Sequence, residues 1–381
     1  MSELFCPHCM GDAAPGEQFC HTCGRELNLC AESHQLPIGS ILRSQSGHRY
    51  LFGKVKGSGG FGMTYIAREL DSGRVVAIKE YYPMRCQPQR LPDAAVRPIA
   101  PMEEVYRQGM QSFLSEASML RAVNNIPSIV HVLDFFEAKG TAYMVMEYLD
   151  GTTLADLMQT QTRFEPMLLL QKMLPLMRDL ERIHEAGVVH RDIAPDNIML
   201  MPDGSLKLLD FGCARSLEDG KSMTVLLKPG FAPIEQYQTR GQGPFTDIYA
   251  LCATVYYCLT GKVPPAAPER LTAVFDGAAD PLLPPSHFGT MLSGEQEQLL
   301  LWGLSLQPSS RAQSMAQLAD ALEKVTAPEK EPSTAVAGKA HTPPAPEMFD
   351  MQKVIDFLKV QRLRLLLALS IVVIILLLIF R

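Results

Sequence analysis

The chain has no basic, apolar leader at Met1, so nothing in it signals secretion of the bulk of the protein. Nor is there any surplus of positive charge. A formal net charge of -6 removes the electrostatic case for nucleic acid as the main partner. No internal repeat is visible. The nine cysteines come without a secretory leader, which argues against a disulfide framework. A reducing compartment is expected instead, with some thiols used for metal. What the chain does have is length. Its 381 residues allow a large domain plus appendages, and 47% hydrophobic with 20% charged residues is ordinary for a folded protein.

One stretch organises the rest. His190-Arg191-Asp192-Ile193-Ala194-Pro195-Asp196-Asn197 is followed, thirteen residues after its amide, by Asp210-Phe211-Gly212. Phosphoryl transfer needs such a set. One carboxylate, Asp192, orients a substrate hydroxyl and takes its proton, while Asn197 and Asp210 hold the Mg²⁺ that neutralises the phosphates. Ile198-Met199-Leu200 and Leu206 to Leu209, around Pro202-Asp203-Gly204, read as a hairpin that would bring Asn197 and Asp210 together.

Upstream, the strand Tyr50 to Val55 runs into Gly57-Ser58-Gly59-Gly60-Phe61-Gly62-Met63-Thr64. Glycines there let a backbone approach phosphates, with Phe61 as a cap. Such a run could equally open a helix in a dinucleotide fold. Here two more strands follow, Tyr65-Ile66-Ala67 and Val75-Val76-Ala77-Ile78-Lys79, split by Asp71-Ser72-Gly73. Strand, glycine turn, strand is the order found in protein kinases, and the later stretch resembles the catalytic loop and DFG motif of that family.

The resemblance covers about 50–325. It implies an α+β, two-lobe kinase domain over 47–325, with a small antiparallel sheet lobe (47–147) and a larger helical lobe (150–325). Lys79 would grip the ATP phosphates. Glu116 falls on the apolar side of a helix over 105–123 and is expected to form a salt bridge with Lys79, because a buried carboxylate is costly alone. Met146 would be the gatekeeper, with backbone groups of Glu147 and Leu149 binding the adenine, and Ala77 is a further candidate for binding the nucleotide. Residues 80–110 form a long irregular insertion with no assigned role. Glu235 is expected to pair with Arg311, and Asp247 to brace the backbone of the catalytic loop. Arg191 suggests control by a phosphate on Ser216, Ser222 or Thr224. The cysteines Cys213, Cys252 and Cys258 read as small buried apolar residues.

Two positions depart from the family. Ala194 stands where a lysine usually reaches the transferred phosphate. Lys228-Pro229-Gly230-Phe231 stands where threonine, proline, any residue and tyrosine are usual. Lys228 is therefore a candidate catalytic residue, returning the missing charge from the other side of the site.

Appendages flank the domain. Cys6-Pro7-His8-Cys9 and Cys20-His21-Thr22-Cys23 are two knuckles ten residues apart, matching a structural Zn²⁺ site of four thiolates. Residues 1–30 are too few for a core, so metal would supply the folding energy. His8 and His21 could substitute as ligands, and a redox role is the rival. Cys30 reads as a bystander and 31–46 as a linker. Residues 326–350 read as a disordered tether, and 351–364 as a basic helix at a membrane surface. Residues 365–380 carry no charge. Sixteen residues of helix reach roughly 24 Å against a bilayer core of about 30 Å. Flanking Arg364 and Arg381 can snorkel, so a single tail anchor is expected, with the kinase domain cytoplasmic. Partners would be ATP, protein substrates, the membrane, and a second copy if activation is by trans-autophosphorylation. The rival readings are a pseudokinase scaffold and a ribbon-centred adaptor.

Overall fold

The structure, a computed structural model, describes residues 4–161, 163–211, 215–216, 227–238 and 241–327. Gly212, Cys213, Ser222 and Thr224 lie outside the described residues. So does the stretch 328–381, with the tether, basic helix and charge-free segment expected there. Among the described residues no helix is long and apolar enough to cross a membrane.

Four strands come first: β1 (Ile41–Arg43), β2 (Arg49–Gly59), β3 (Gly62–Glu69) and β4 (Val75–Tyr81). A short ribbon, β5 (Gln89–Arg90) with β6 (Val96–Arg97), and a helix, α1 (Glu103–Ala122), intervene before β7 (Val132–Ala138) and β8 (Thr141–Glu147). The main sheet has the order β1-β2-β3-β4-β8-β7, antiparallel throughout. Its inner face is aromatic. Phe52 meets Tyr65 edge-on at 5.5 Å, and Phe136 stacks on Tyr143 at 5.2 Å. Helix α1 adds Tyr106, Phe113, Ala117 and Leu120 to the same core.

Residues 31–46 are not the linker expected. Leu36 is buried and its N–H donates to the Tyr65 hydroxyl at 2.9 Å, while β1 pairs Leu42 with Tyr50. A three-residue strand with one inward side chain has no periodicity to read; its partner strand makes it. The insertion is also anchored. Arg90 meets Glu80 at 2.7 Å with both side chains buried, and Glu80 accepts from the Tyr65 and Tyr143 hydroxyls at 2.9 and 2.8 Å. A buried carboxylate with this many donors is satisfied, and it ties the β5–β6 ribbon to the sheet.

The helical lobe opens with β9 (Thr152–Thr153), α2 (Leu154–Thr160) and α3 (Pro166–Glu185). Helix α3 starts on Pro166, with the Glu165 carboxylate accepting from the N–H groups of Met167 and Leu168. It stops before Gly187, which takes a φ of 79° that other residues resist. Then come β10 (Val188–Val189), β11 (Ile198–Leu200), β12 (Leu206–Leu208) and β13 (Arg215–Ser216). The expected hairpin forms, with Ile198 opposite Leu208. The rest is helical: α4 (Ile234–Tyr237), α5 (Pro244–Thr260), α6 (Ala267–Phe275), α7 (Gly294–Gly303) and α8 (Met315–Thr326). Helix α5 is apolar on nearly every side and is buried from Thr246 to Tyr256, so it forms the lobe's axis.

The N-terminal segment docks on the outer face of the sheet. Met10 is buried against Leu51 and Ile66, side chains that alternate away from the aromatic core. The N–H of Lys54 donates to the Pro7 carbonyl at 2.9 Å, and Arg68 meets Asp12 at 2.6 Å.

Candidate active site

The bend at residues 190–192 is held from below by α5. Buried Asp247 accepts from the backbone N–H groups of His190 and Arg191, both at 2.8 Å, and contacts His184 Nε2 at 2.8 Å. Burial alone would raise its carboxyl, but the His184 contact and the backbone donors outweigh that and hold it below the usual range. Arg191 thereby sits at a φ of 67°, a left-handed conformation that needs such a brace. Glu235 and Arg311 form the expected buried pair, at 2.7 and 3.1 Å. Both expectations for these bracing residues hold.

His190 does more than its place in the motif suggests. Its ring is fully buried, and burial keeps its pKa below the usual histidine value. The neutral ring lies 3.0 Å from the Leu209 carbonyl through Nε2 and accepts from the Asp192 N–H through Nδ1 at 3.2 Å. Its edge packs on Phe211 at 4.3 Å. One ring thus links the catalytic loop to the turn that carries Asp210.

Around this frame the candidate groups converge. Asn197 donates to the Asp192 carbonyl at 2.7 Å and to its carboxylate at 2.9 Å. Leu209 donates to the Asn197 carbonyl at 2.8 Å, which ties the backbone just before Asp210 to the catalytic-loop residue Asn197. Asp210 takes a φ of 47° and forms an ion pair with Lys79 of β4. Lys228 Nζ lies 3.2 Å from the second Asp192 oxygen. Burial raises the Asp192 pKa, and Lys228 works against the rise. Asp192, Asn197 and Lys228 thus form one polar group and Asp210 with Lys79 a second, near enough that the Asp210 charge helps to raise the Asp192 pKa.

Glu116 departs from expectation. It is buried on α1 as foreseen, but among the described residues no hydrogen bond or ion pair of 4.0 Å or less joins it to Lys79. The Asp210 carboxylate occupies that ammonium instead. Glu116 acts on Lys79 only through space, and burial raises its own pKa well above the usual range.

The glycine turn divides into two kinds of position. A Cβ on Gly62 would lie 1.9 Å from the Glu80 carbonyl, so close strand packing alone demands glycine there. A Cβ on Gly57, Gly59 or Gly60 would meet nothing within 4 Å. Those three face open space on the exposed tip with Ser58, and Phe61 is half-buried beside them. Open glycine backbone of this kind suits a phosphate chain. Thr64 lies opposite Lys79, and Ala77 opposite Met146, whose side chain is buried. Glu147 uses its carboxylate on Lys207 and its N–H on the His131 carbonyl. Leu149 is half-buried just beyond β8.

The four cysteines of the ribbon also converge. The sulfurs of Cys6, Cys9, Cys20 and Cys23 all lie within 4.8 Å of one another. Cys6 with Cys23, and Cys9 with Cys20, are 3.7 Å apart. A tetrahedron with Zn–S bonds of about 2.3 Å has edges of about 3.8 Å, so the donor set fits zinc. Backbone N–H groups, that of Cys23 foremost, hold the Cys20 thiol down at about 6, while burial raises Cys6 and Cys9.

The chain resembles known proteins over most of its length. The family described as "Protein kinase domain" matches residues 50–322. The serine/threonine-protein kinase PknB of Mycobacterium tuberculosis is 30% identical over 286 residues, 73% of this chain and 43% of that protein. A probable serine/threonine-protein kinase of Streptomyces coelicolor is 31% identical over 282 residues, 70% of this chain and 38% of that protein. The chain therefore spans less than half the length of these curated relatives. Among solved structures, one described as "PpkA-294 apo form" superposes with a TM-score of 0.65 at 33% identity. It covers 76% of this chain and 100% of its own.

Proposed function

Because the chain belongs to the protein kinase family, we propose that it transfers the γ-phosphate of ATP to serine or threonine hydroxyls of proteins. The observation that carries this reading is the pairing of Lys79 with Asp210 and of Asn197 with Asp192, with Asp210 close enough to act on the Asp192 carboxyl. The open backbone of Gly57, Gly59 and Gly60 lies at the tip of the β2–β3 hairpin, and β3 pairs with the Lys79 strand β4.

Roles follow from chemistry. Lys79, desolvated at the sheet edge of the cleft, binds phosphate oxygens. Asp192 accepts the substrate hydroxyl's hydrogen bond and takes its proton as the bond to phosphorus forms. Its burial leaves it a better base than an exposed carboxylate. Asn197 steers the Asp192 carboxylate. Asn197 and Asp210 are the groups that would hold Mg²⁺, which supplies charge neutralisation for the phosphates. Glu116 would replace Asp210 on Lys79 once Asp210 turns to the metal. Met146, Glu147 and Leu149 border the adenine, and Ala77 and Thr64 line the sheet side.

A pseudokinase reading draws support from Ala194. The test is ATP turnover and autophosphorylation by the full chain with Mg²⁺, beside Asp192→Asn and Asp210→Ala. The kinase reading expects a loss of at least about 10²-fold in each variant. Nucleotide binding without turnover in the intact chain would sink it.

The domain layout extends the proposal: a zinc ribbon over 1–30, a kinase domain over 47–325, a tether, a basic helix over 351–364 and a membrane anchor over 365–380. The kinase domain would face the cytoplasm. Carbonate-resistant sedimentation of the full chain with membranes, lost on deleting residues 351–381, checks the anchor.

A further inference from the structure

Resting on the phosphotransfer reading, we infer that Lys228 is the cation that contacts the transferred phosphate, supplied from the facing 228–231 turn to replace a charge that Ala194 cannot supply. Its placement is the first argument. Lys228 Nζ sits 3.2 Å from Asp192 Oδ1 and 2.9 Å from Asp196 Oδ1, so it touches the base itself and the next acidic residue of the same loop. An ammonium there lies beside the oxygen that attacks phosphorus. Ala194, two residues after the base, is buried and brings no charge.

The second argument is the scaffold beneath it. A solvated loop lysine needs no mounting, but Lys228 has one. Its carbonyl accepts from the N–H groups of Phe231 and Ala232 at 3.1 and 2.9 Å. Gly230, at a φ of 86°, is wedged so closely that a Cβ would lie 2.4 Å from Val263 and 2.6 Å from the Pro264 carbonyl. The Phe231 ring meets Tyr257 of α5 edge-on at 6.1 Å. Two residues on from Pro233, Glu235 is locked to Arg311. Gln236 reaches back to the Arg191 carbonyl at 2.7 Å. The turn 228–231 is thus bolted to the helical lobe on one side and to the catalytic loop on the other.

Electrostatics agrees with the geometry. Burial would lower the Lys228 pKa, but Asp192 and Asp196 overcome it and keep the group charged. With two carboxylates as partners, Lys228 can release one to meet a phosphate and still be held by the other. A pre-positioned cation at developing charge contributes to turnover and not to ground-state binding.

The experiment measures kcat and the KM for ATP in the full chain for Lys228→Met, Lys228→Arg and the relocated pair Ala194→Lys with Lys228→Thr. Lys228→Met should lower kcat by about 10²–10³-fold with little change in KM. Lys228→Arg should retain more activity than Lys228→Met, because it keeps the charge. The relocated pair should recover at least about tenfold over Lys228→Met. A brace without a catalytic role would instead lower thermal stability, and relocation would recover nothing. Unchanged kcat in Lys228→Met, with Asp192→Asn inactive in the same assay, overturns this inference and leaves the kinase reading standing. Should Lys228→Met fail to fold, the arginine variant and the relocated pair decide. An intact chain that binds ATP without turnover overturns both.

Discussion

The ribbon and the helical lobe solve the same problem by opposite means. In the ribbon, Met10 is a large apolar side chain buried against the sheet, while Phe19 and Leu4 are more than half exposed. Four thiols and a few docking contacts must supply its order. In the helical lobe, α5 is buried on nearly every side and α3, α7 and α8 close around it. That surplus of burial supports costly features: the left-handed Arg191 and the buried Asp247 and Arg311. Where a core exists, polar groups can be buried to aim a loop. Where none exists, the polar groups themselves must be bound by something stronger than water.

The contrast can be broken most sharply at the four cysteines, whose geometry fits zinc. Chelation, or Cys20→Ser, should remove one bound zinc per chain and expose residues 1–30 to protease. Structural zinc supplies about 10–16 kcal/mol in comparable small sites. Elemental analysis and limited proteolysis read this out, and a ribbon that stays protected without metal would undo the comparison. The helical lobe should be indifferent to the same treatment.

Its own weak point is the brace. Asp247→Ala strands two backbone donors in a dry interior and should cost about 3–5 kcal/mol. Chemical denaturation gives the loss, and turnover should fall with it because the bend at Arg191 is released.

Gly53→Ala acts on the seam between the ribbon and the sheet. The new Cβ would lie 2.6 Å from Met10 Sδ and 2.7 Å from the Pro7 carbonyl. A cost of about 1–3 kcal/mol is expected. It should appear as ribbon protease sensitivity with zinc still bound, which distinguishes undocking from metal loss.

Smallest of all, Phe19→Ser on the ribbon's exposed face should change stability by no more than about 0.5 kcal/mol. A larger drop in thermal unfolding would mean that this ring is covered in the folded protein, and would give the ribbon more of a core than the contrast allows.

Much of the candidate site is legible in the sequence. Asp192, Asn197 and Asp210 lie within a few residues of tight bends, and one hairpin brings them together. Asp247 and Arg311 were readable as motif positions despite lying 55 and 119 residues beyond Asp192. Other features left no local trace. β1 has one inward side chain. Glu80 is next to Lys79 in sequence but points into a buried cluster with Arg90, whose purpose depends on tyrosines from two other strands. The apolar periodicity puts Glu116 on the buried face of α1, yet its distance from Lys79 depends on how α1 seats against the sheet.

Order along the chain, the spacing of the acidic and amide groups, and the four cysteine positions set the chemistry, because covalent neighbours on short turns have few ways to be far apart. The partner of Lys79, the reach of Lys228 to two carboxylates and the seating of the ribbon on β2 and β3 were settled elsewhere. Each depends on surfaces remote in the chain meeting within a few ångströms, and packing between elements, not sequence spacing, determines that distance.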